Sequence, residues 1–204
     1  MTQILIVYAS SMGNTKRMAD AIADGARQIA GVHVKIRSVD EARLGEVREC
    51  DALVLGSPVR HGNADPRLRR FIEADCEPLA TNGHLADKIA AVFTVGGNVG
   101  RHGDCGEIAQ LSLLRAFAAA GMTIVSACTD SRGPTLERPY WGPHARLHTR
   151  EGPETLQPDT LTQACQHGLR VARLASAVTG NPRPPTRKNF RLPAFFDRFH
   201  TVFR

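Results

Sequence analysis

Apolar residues along the chain fall into five short runs, separated by stretches with helical periodicity. The runs are residues 3–9, 32–39, 52–56, 89–95 and 123–127. The first, third and fourth are continuously apolar, as expected for strands that are covered on both faces. The second, "VHVKIRSV", alternates apolar and polar residues and therefore predicts a strand at a sheet edge.

The stretches between the runs predict helices. They span residues 15–30, 65–74, 107–120 and 159–178. Strands that alternate with helices are typical of α/β proteins with a parallel sheet. We therefore predict a doubly wound parallel sheet of five strands, in the order 2-1-3-4-5, with helices on both faces. In such a sheet, ligands bind outside the carboxyl ends of the strands, where the strand order reverses.

Two segments do not follow this alternation. Residues 130–158 are rich in proline and glycine, and a connection of this length is typical of a functional loop or an interface. Residues 181–204 open with "NPRPPTRKN", which contains too much proline for a helix. We predict one domain over residues 1–180 and a basic, proline- and phenylalanine-rich tail over residues 181–204.

The net charge of +6 is concentrated in the tail, which holds six basic residues and one acidic residue. The near-neutral remainder does not suggest a nucleic-acid partner. The five cysteines include no C-x-x-C pair, which favours reduced thiols in the cytoplasm over a disulfide or metal framework. No apolar stretch reaches the ~18 residues of a membrane span, and no basic leader precedes the first strand. Neither a transmembrane helix nor a signal peptide is therefore expected.

The turn after the first strand, "SSMGNT" at residues 10–15, has the composition of an anion-binding loop. Its backbone N–H groups and the hydroxyls of Ser10, Ser11 and Thr15 can converge on a phosphate at a helix N-terminus. The turn lacks both the G-x-x-x-x-G-K-[ST] of a nucleoside triphosphate loop and the G-x-G-x-x-G of a dinucleotide fold. A plain helix cap formed by Asn14 and Thr15 is the alternative to a phosphate site.

Two further loops follow strands predicted to lie near the first. "GSPVRHGN" at residues 56–63 follows the third run, and "TVGGNVGRHGDCGE" at residues 94–107 follows the fourth. Both offer polar backbone and a glycine-rich wall that suits a planar ring. Three loops at one sheet edge therefore predict a site for a ligand that carries a phosphate and a planar ring.

These segments resemble the WrbA-type branch of the flavodoxin-like family. The resemblance rests on "ILIVYASSMGNTKRMADAIADGA", "DALVLGSPVRHGNADPRLRRF" and "GGNVGRHGDCGEIAQLSLLRAFAAAGM", and it covers about residues 3–180. Members of that branch are FMN-dependent NAD(P)H:quinone oxidoreductases, usually tetrameric, with a flavodoxin-like fold. The resemblance implies a cytoplasmic flavoprotein that uses FMN as cofactor and NADH or NADPH as electron donor, and that assembles as a homodimer or homotetramer.

The resemblance also implies which residues bind FMN. The phosphate would be held by Ser10, Ser11, Met12, Gly13, Asn14 and Thr15. The ring would be lined by Pro58, Val59, Arg60, His61 and Gly62, and closed on its other edge by Thr94, Val95, Gly96 and Gly97. Arg60 would lie near N1 and C2=O of the flavin, where a positive charge stabilises the reduced ring. A solvated loop charge is the alternative for Arg60, and an ordinary loop histidine is the alternative for His61.

The sequence departs from the family at two positions. Ala120 stands where the family often has a histidine, and Ala80 where it often has an aromatic residue. In the family these groups cover the exposed face of the flavin, so the departures concern the acceptor and not FMN binding. Tyr140 and Trp141, in the long loop, are candidate substrate residues that could cover that face instead, although such aromatic residues more often serve as packing anchors. Cys105 is a candidate redox thiol or an ordinary one.

We therefore expect an enzyme that moves two electrons from NAD(P)H to a small quinone-like acceptor. The flavin carries the chemistry, so neither a catalytic side chain nor a metal is expected. A flavodoxin-type electron carrier without its own substrate is the alternative, as is an FMN reductase that acts on another small acceptor. The tail holds five of the eight phenylalanines. Residues 190–204 are expected either to contact a membrane surface or to dock on the body of the protein or a neighbouring subunit.

Overall fold

The computed structural model describes residues 1–97, 105–127, 141–147 and 156–180. These residues form a largely parallel β-sheet with helices on both faces. Within these residues the strands are β1 (Thr2–Tyr8), β2 (Val32–Ser38), β3 (Ala52–Arg60), β4 (Asn63–Ala64), β5 (Ile89–Gly97), β6 (Thr123–Ile124) and β7 (His144–Leu147). The main order, β2-β1-β3-β5-β6, confirms the predicted doubly wound arrangement. The predicted count of five strands is wrong, because two short strands, β4 and β7, pair with β3 and β5.

Helices cover both faces of the sheet. They are α1 (Asn14–Ala26), α2 (Leu44–Glu49), α3 (Pro66–Phe71), α4 (Glu77–Thr81), α5 (Gly106–Ala119) and α6 (Pro158–Thr179). A π-helical segment, Ile72–Cys76, joins α3 to α4, where the sequence predicted one helix ending at residue 74. Pro78 accounts for the wider turn, because a proline ring in a helix collides with the carbonyl four residues earlier.

The two faces of the sheet receive alternate residues of each strand. Ile4 and Ile6 of β1 lie in a core shared with α1 and α6. Leu5 and Val7 lie in a second core, on the opposite face, with helices that include α3 and α5. Both cores are fully covered, which explains why β1 is continuously apolar in the sequence.

The strand predicted over residues 123–127 is regular only over Thr123–Ile124, and two short strands, β6 and β7, share the position beside β5. Its regular part, β6, pairs only with Ile89 and Ala90 at the start of β5. Farther along, β7 takes over this position and pairs with β5 from Thr94 onward. His144, the first residue of β7, is thereby brought beside Thr94 at the carboxyl edge of the sheet.

Helices α1 and α6 pack with their backbones in contact. A Cβ atom added to Gly25 would lie 1.8 Å from the carbonyl oxygen of Cys165, and one added to Gly168 would lie 1.9 Å from that of Ile22. Two glycines, one on each helix, therefore allow this close approach. Among the described helices, including α6, none is both long enough and apolar enough to cross a membrane.

His167 lies in the same tight interface and is completely buried. Neither ring nitrogen has a hydrogen-bond partner among the described residues. Burial, with a smaller contribution from the positive charge of Arg170, lowers the pKa of His167 to about 4. The ring is therefore neutral at pH 7.

We expect His167 to make the fold sensitive to mild acid. Because its pKa is lower in the folded chain than in the unfolded chain, the unfolded chain binds more protons between pH 6.5 and pH 4. This one group should lower the free energy of unfolding by about 2 kcal/mol between pH 7 and pH 4.5. Urea unfolding gives the free energy of unfolding of the wild type and of His167→Leu at both pH values. The change with pH should be smaller for His167→Leu, and the difference between the two changes measures the contribution of His167. The exposed His33, changed in the same way, provides the control; equal pH dependence of His167→Leu and wild type would contradict the assignment.

Candidate functional site

Three loops converge at the carboxyl edge of the sheet, as the sequence predicted. They are the phosphate loop (residues 10–15) after β1, the β3–β4 hairpin, and the end of β5. Because β1, β3 and β5 are adjacent and parallel, their carboxyl ends open onto one surface. This is the position where doubly wound folds bind ligands.

The loop over residues 10–15, named here for the phosphate that the sequence predicts, forms a tight turn into α1. Gly13 has φ +83°, in the left-handed region, and α1 begins at the next residue. The Gly13 N–H donates to the hydroxyl of Ser10 at 3.0 Å, which fixes the turn. Thr15 is buried, whereas Met12 at the tip is exposed. The first backbone N–H groups of a helix have no partners within it and carry positive partial charge, so this end of α1 suits a phosphate.

The β3–β4 hairpin projects beyond the sheet toward the same surface. Its two turn residues, His61 (φ 48°) and Gly62 (φ 78°), both have positive φ, as a type I′ turn requires. A Cβ on Gly62 would lie 3.4 Å from the Cβ and sulfur of Cys105, so the hairpin rests on the start of α5. A Cβ on Gly96 would likewise lie 3.0 Å from Val59. These contacts hold the hairpin against the end of β5.

Arg60 connects the hairpin to the phosphate loop. Its Nη2 donates to the hydroxyl of Ser11 at 2.7 Å. The guanidinium therefore lies at the phosphate loop, although the sequence analysis expected it near N1 of a flavin ring; that expected contact stays a prediction. A cation here would complement a phosphate bound at the start of α1.

Buried polar groups hold the base of the hairpin. The hydroxyl of Ser57 accepts from the Asp65 N–H at 2.8 Å, and the Asp65 carboxylate caps α3 by accepting from the Arg67 N–H at 3.0 Å. Burial alone would raise the pKa of the Asp65 carboxyl, but the guanidinium and N–H of Arg67 outweigh it and hold this pKa below its ordinary value. The ionised Asp65 thus fixes both the hairpin and the Arg67 side chain.

The side chain of Thr94, at the end of β5, is fully buried. Its hydroxyl lies 2.8 Å from Nδ1 of His144 and accepts from Nε2 of Gln110 at 2.9 Å. The Thr94 side chain therefore lies beneath the surface, hydrogen-bonded to His144 and Gln110.

Gln110 fastens β7 to this edge. Its Nε2 also donates to the carbonyl oxygen of Gly142 at 3.0 Å, and its Oε1 accepts from the N–H of the same glycine at 3.0 Å. A Cβ on Gly142 would lie 1.7 Å from the Val92 carbonyl oxygen, so only glycine fits there. The buried amide thus aligns the segment that carries His144 with β5.

The remaining predicted site residues occupy varied positions. Pro58 and Val59 are half-buried and His61 is exposed, whereas Val95 and Gly96 are buried. Trp141 is 42% exposed, and its carbonyl oxygen accepts from the Ala127 N–H at 2.7 Å. Tyr140, like the loop over residues 98–104, lies outside the described residues. The proposed cover of the flavin by Tyr140 or Trp141 stays a prediction.

Ala80 and Ala120 lie away from the loops of their own chain. Ala120 follows α5, three residues before β6 begins, and Ala80 lies in α4, shortly before β5 begins. Both pack against the core on one face of the sheet. They are therefore at the amino edge of the sheet, whereas the phosphate loop is at its carboxyl edge.

Gln110 and His144 were missed by the sequence analysis. For Gln110 a signal existed: it falls on the buried stripe of α5 with Ala109, Leu113 and Leu114, where an apolar residue is the rule. A polar residue on such a stripe indicates a buried hydrogen-bond network. For His144 no signal existed, because β7 has four residues and lies in a proline-rich segment.

Comparisons with known proteins agree with this architecture. A model of the flavodoxin domain family matches residues 5–112. A flavodoxin from Aquifex aeolicus (strain VF5) is 33% identical over 140 residues, covering 69% of this chain and 72% of that protein. A NAD(P)H dehydrogenase (quinone) from Geotalea uraniireducens (strain Rf4) is 34% identical over 116 residues, covering 45% of this chain and 57% of that protein.

A solved structure has the same fold. The flavodoxin, WrbA-like protein from Agrobacterium tumefaciens superposes with a TM-score of 0.68 at 21% identity, covering 87% of this chain and 99% of that one. At this identity the likeness concerns the fold alone. The family match extends over more than half of the chain and includes the phosphate loop and the β3–β4 hairpin. The chain belongs to the flavodoxin domain family, and the family implies a flavin-binding protein.

Proposed function

We propose that the protein is an FMN-dependent oxidoreductase that passes two electrons from NADH or NADPH to a small quinone-like acceptor. The observation that carries the proposal is the phosphate loop, with its left-handed Gly13, its ordered Ser10 hydroxyl and the Arg60 guanidinium at Ser11. Helix N-terminus, hydroxyl and cation together fit a phosphate monoester that carries about two negative charges.

The residues at the carboxyl edge fit the rest of FMN. The phosphate would be held by residues 10–15, and the flat ring would lie between the β3–β4 hairpin and the end of β5 (Thr94–Gly97). The glycines in these two elements allow backbone to approach a ring closely. When bound, FMN supplies the electron chemistry, and the chain's own residues bind it, orient it and limit its contact with water.

The electron donor and acceptor are taken from relatives. The Geotalea protein is named NAD(P)H dehydrogenase (quinone), as is a protein from Paracoccus denitrificans (strain Pd 1222) that is 32% identical over 123 residues. The chain spans 57% of the length of each. Their names support the donor and acceptor classes, while the site geometry supports the cofactor.

An FMN titration of the purified protein, followed by flavin fluorescence, tests the proposal. We expect quenching that saturates near one FMN per chain, then anaerobic loss of the oxidised-flavin absorbance with NADH or NADPH and its return with p-benzoquinone. Ser10→Ala should weaken FMN binding about fivefold, because the Gly13 N–H loses its acceptor. Ser112→Ala, an exposed serine on α5, should leave it unchanged. Absence of saturable quenching would contradict the cofactor assignment.

An electron carrier without its own substrate is the second candidate. It is favoured by the Aquifex relative, which is named flavodoxin and shares 72% of its length with this chain. The same experiment separates the two functions: FMN binding without any reaction with NADH or NADPH would support the carrier and contradict the enzyme.

We propose a cytoplasmic homodimer or homotetramer, with a flavodoxin-like domain over residues 1–180. The tail, residues 181–204, lies outside the described residues. Its six basic residues and five phenylalanines support either contact with a membrane surface or docking on a protein surface.

A further inference from the structure

A cavity of about 240 Å³ lies beside the phosphate loop, on the side that faces β2. We call it the β2-side cavity. Side chains from the ends of β1 and β2, from α1 and from α3 line it, namely Tyr8, Ser10, Lys16, Ser38, Asp40 and Arg67. The backbone of Gly13 lines it too. Ser10 and Gly13 belong to the phosphate loop, whereas the other lining residues have no part in the proposed FMN site.

The β2-side cavity and the proposed ring site lie on opposite sides of the phosphate loop. Strand β1, which leads into the loop, has β2 on one side and β3 on the other. The ring site is formed by β3 and β5, whereas the cavity opens toward the end of β2. A ligand with a phosphate on the loop can therefore extend in both directions, with a ring on one side and a second group in the cavity.

Asp40 gives the cavity an acceptor for hydroxyl groups. It follows the end of β2 by two residues, and its side chain is 67% exposed. Nη1 of Arg67 approaches its carboxylate at 3.4 Å, a long contact that leaves the carboxylate able to accept further hydrogen bonds. In doubly wound folds that bind dinucleotides, an acidic residue after the second strand accepts from the hydroxyls of an adenosine ribose.

Two cations and an aromatic ring complete the lining. The Lys16 ammonium is held 2.9 Å from Asp20. The Arg67 guanidinium is fixed by two hydrogen bonds to Asp65, at 3.0 and 3.1 Å. Carboxylates already position these cations, so a phosphate can contact them without ordering free side chains, and the same carboxylates offset part of the positive charge that the phosphate meets. Tyr8 adds an apolar wall suited to a base.

We propose that the β2-side cavity binds the adenosine ribose phosphate of a dinucleotide, with Asp40 accepting from the ribose hydroxyls. The proposal rests on the proposed function, since it takes the phosphate loop to hold a flavin phosphate. Two ligands carry this group: FAD, with its AMP half in the cavity, and NADH, with its ADP half there. A 2′-phosphate on this ribose would meet both the Asp40 carboxylate, which repels it, and the Arg67 guanidinium 3.4 Å away from that carboxylate, which attracts it, so both forms of ADP-ribose are tested.

Binding measurements on the intact chain test the proposal and separate the two ligands. FMN and FAD are titrated into the protein, and ADP-ribose and its 2′-phosphate are titrated into the FMN-loaded protein by calorimetry. FAD binding at least tenfold tighter than FMN identifies the flavin dinucleotide and makes FAD, not FMN, the cofactor of the proposed oxidoreductase. ADP-ribose binding identifies the nicotinamide dinucleotide and leaves FMN as the cofactor. In either case Asp40→Asn should bind the identified ligand, FAD or ADP-ribose, about tenfold more weakly than the wild type, and its affinity for FMN should be unchanged. Asp24→Asn, an exposed α1 carboxylate paired with Arg27, is the matched control and should lose nothing.

Equal affinity for FMN and FAD together with no binding of ADP-ribose would overturn the proposal, as would an Asp40→Asn variant that binds every ligand like the wild type. Failure of FMN itself to bind contradicts the proposed function instead. ADP-ribose is then titrated into the free protein: binding that depends on Asp40 supports the cavity assignment, and absence of binding overturns it as well.

Discussion

Replacing Gln110 with methionine should lower the free energy of unfolding by about 3 to 5 kcal/mol. Methionine has nearly the same length and shape, so the change removes hydrogen bonds without creating a large cavity. Gly142 would lose the partners that Gln110 gives to its N–H and its carbonyl oxygen, and Thr94 would lose one donor. Each buried group left without a partner costs roughly 1 to 3 kcal/mol. Urea unfolding measures the loss.

The same substitution should weaken FMN binding, because β7 would no longer be aligned beside the end of β5. Hydrogen exchange provides a local readout: the Thr94 N–H, which donates to the Pro143 carbonyl oxygen, should exchange faster while the amides of β1 remain protected. Gln166→Met, the same change at an exposed position on α6, is the control and should alter stability by less than about 0.5 kcal/mol. A Gln110→Met variant as stable as this control would contradict the role assigned to the buried amide.

The parts of the fold that were predictable are those where one physical requirement dominates. Strands β1, β3 and β5 are buried on both faces, which demands continuous apolar residues. The alternating pattern of β2 indicated an edge strand, which suits the order predicted for the sheet. The phosphate loop was equally visible, since a left-handed glycine and small hydroxyl residues must be adjacent in sequence to form it.

The parts that were missed depend on tertiary contacts. β7 is four residues long and is a strand because Gln110 and the edge of β5 hold it there, not because "HARL" favours extended structure. The two-residue β4 is a strand only because the type I′ turn brings it back to pair with the end of β3. The amphipathic pattern of α2 spans six residues, too few to establish a helical period. The sequence predicted one helix over residues 65–74. The structure instead has α3 followed by a π-helical segment, because Pro78 disturbs the helical hydrogen bonds of the preceding turn.

The β3–β4 hairpin shows a contact that the sequence pattern does not encode. The family resemblance implies that Arg60 lies near the flavin ring, and that contact stays a prediction. In the structure the strand turns back on itself at the type I′ turn, and the Arg60 side chain reaches Ser11 in the phosphate loop. Side-chain direction depends on turn geometry, which periodicity alone does not encode.

We therefore expect Arg60→Glu to lower the affinity for FMN about a thousandfold. The substitution removes a charge-assisted hydrogen bond, worth about 1.5 to 3 kcal/mol. It also places a carboxylate near the bound phosphate, a repulsion of roughly 1 to 4 kcal/mol at a partly exposed site. Fluorescence titrations with FMN and with riboflavin measure the effect. Riboflavin lacks the phosphate, so its affinity should change less than threefold.

The comparison of the two ligands decides where Arg60 acts. If the guanidinium instead neutralises charge on the reduced ring, Arg60→Glu should shift the midpoint potential of the bound flavin to more negative values and affect FMN and riboflavin alike. Arg115→Glu, an exposed arginine on α5, makes the same change in net charge and controls for long-range electrostatics. Because the hairpin rests on Cys105 and fixes the direction of Arg60, the phosphate is the expected target. Equal losses of affinity for FMN and riboflavin would show that Arg60 acts on the flavin ring and not on the phosphate.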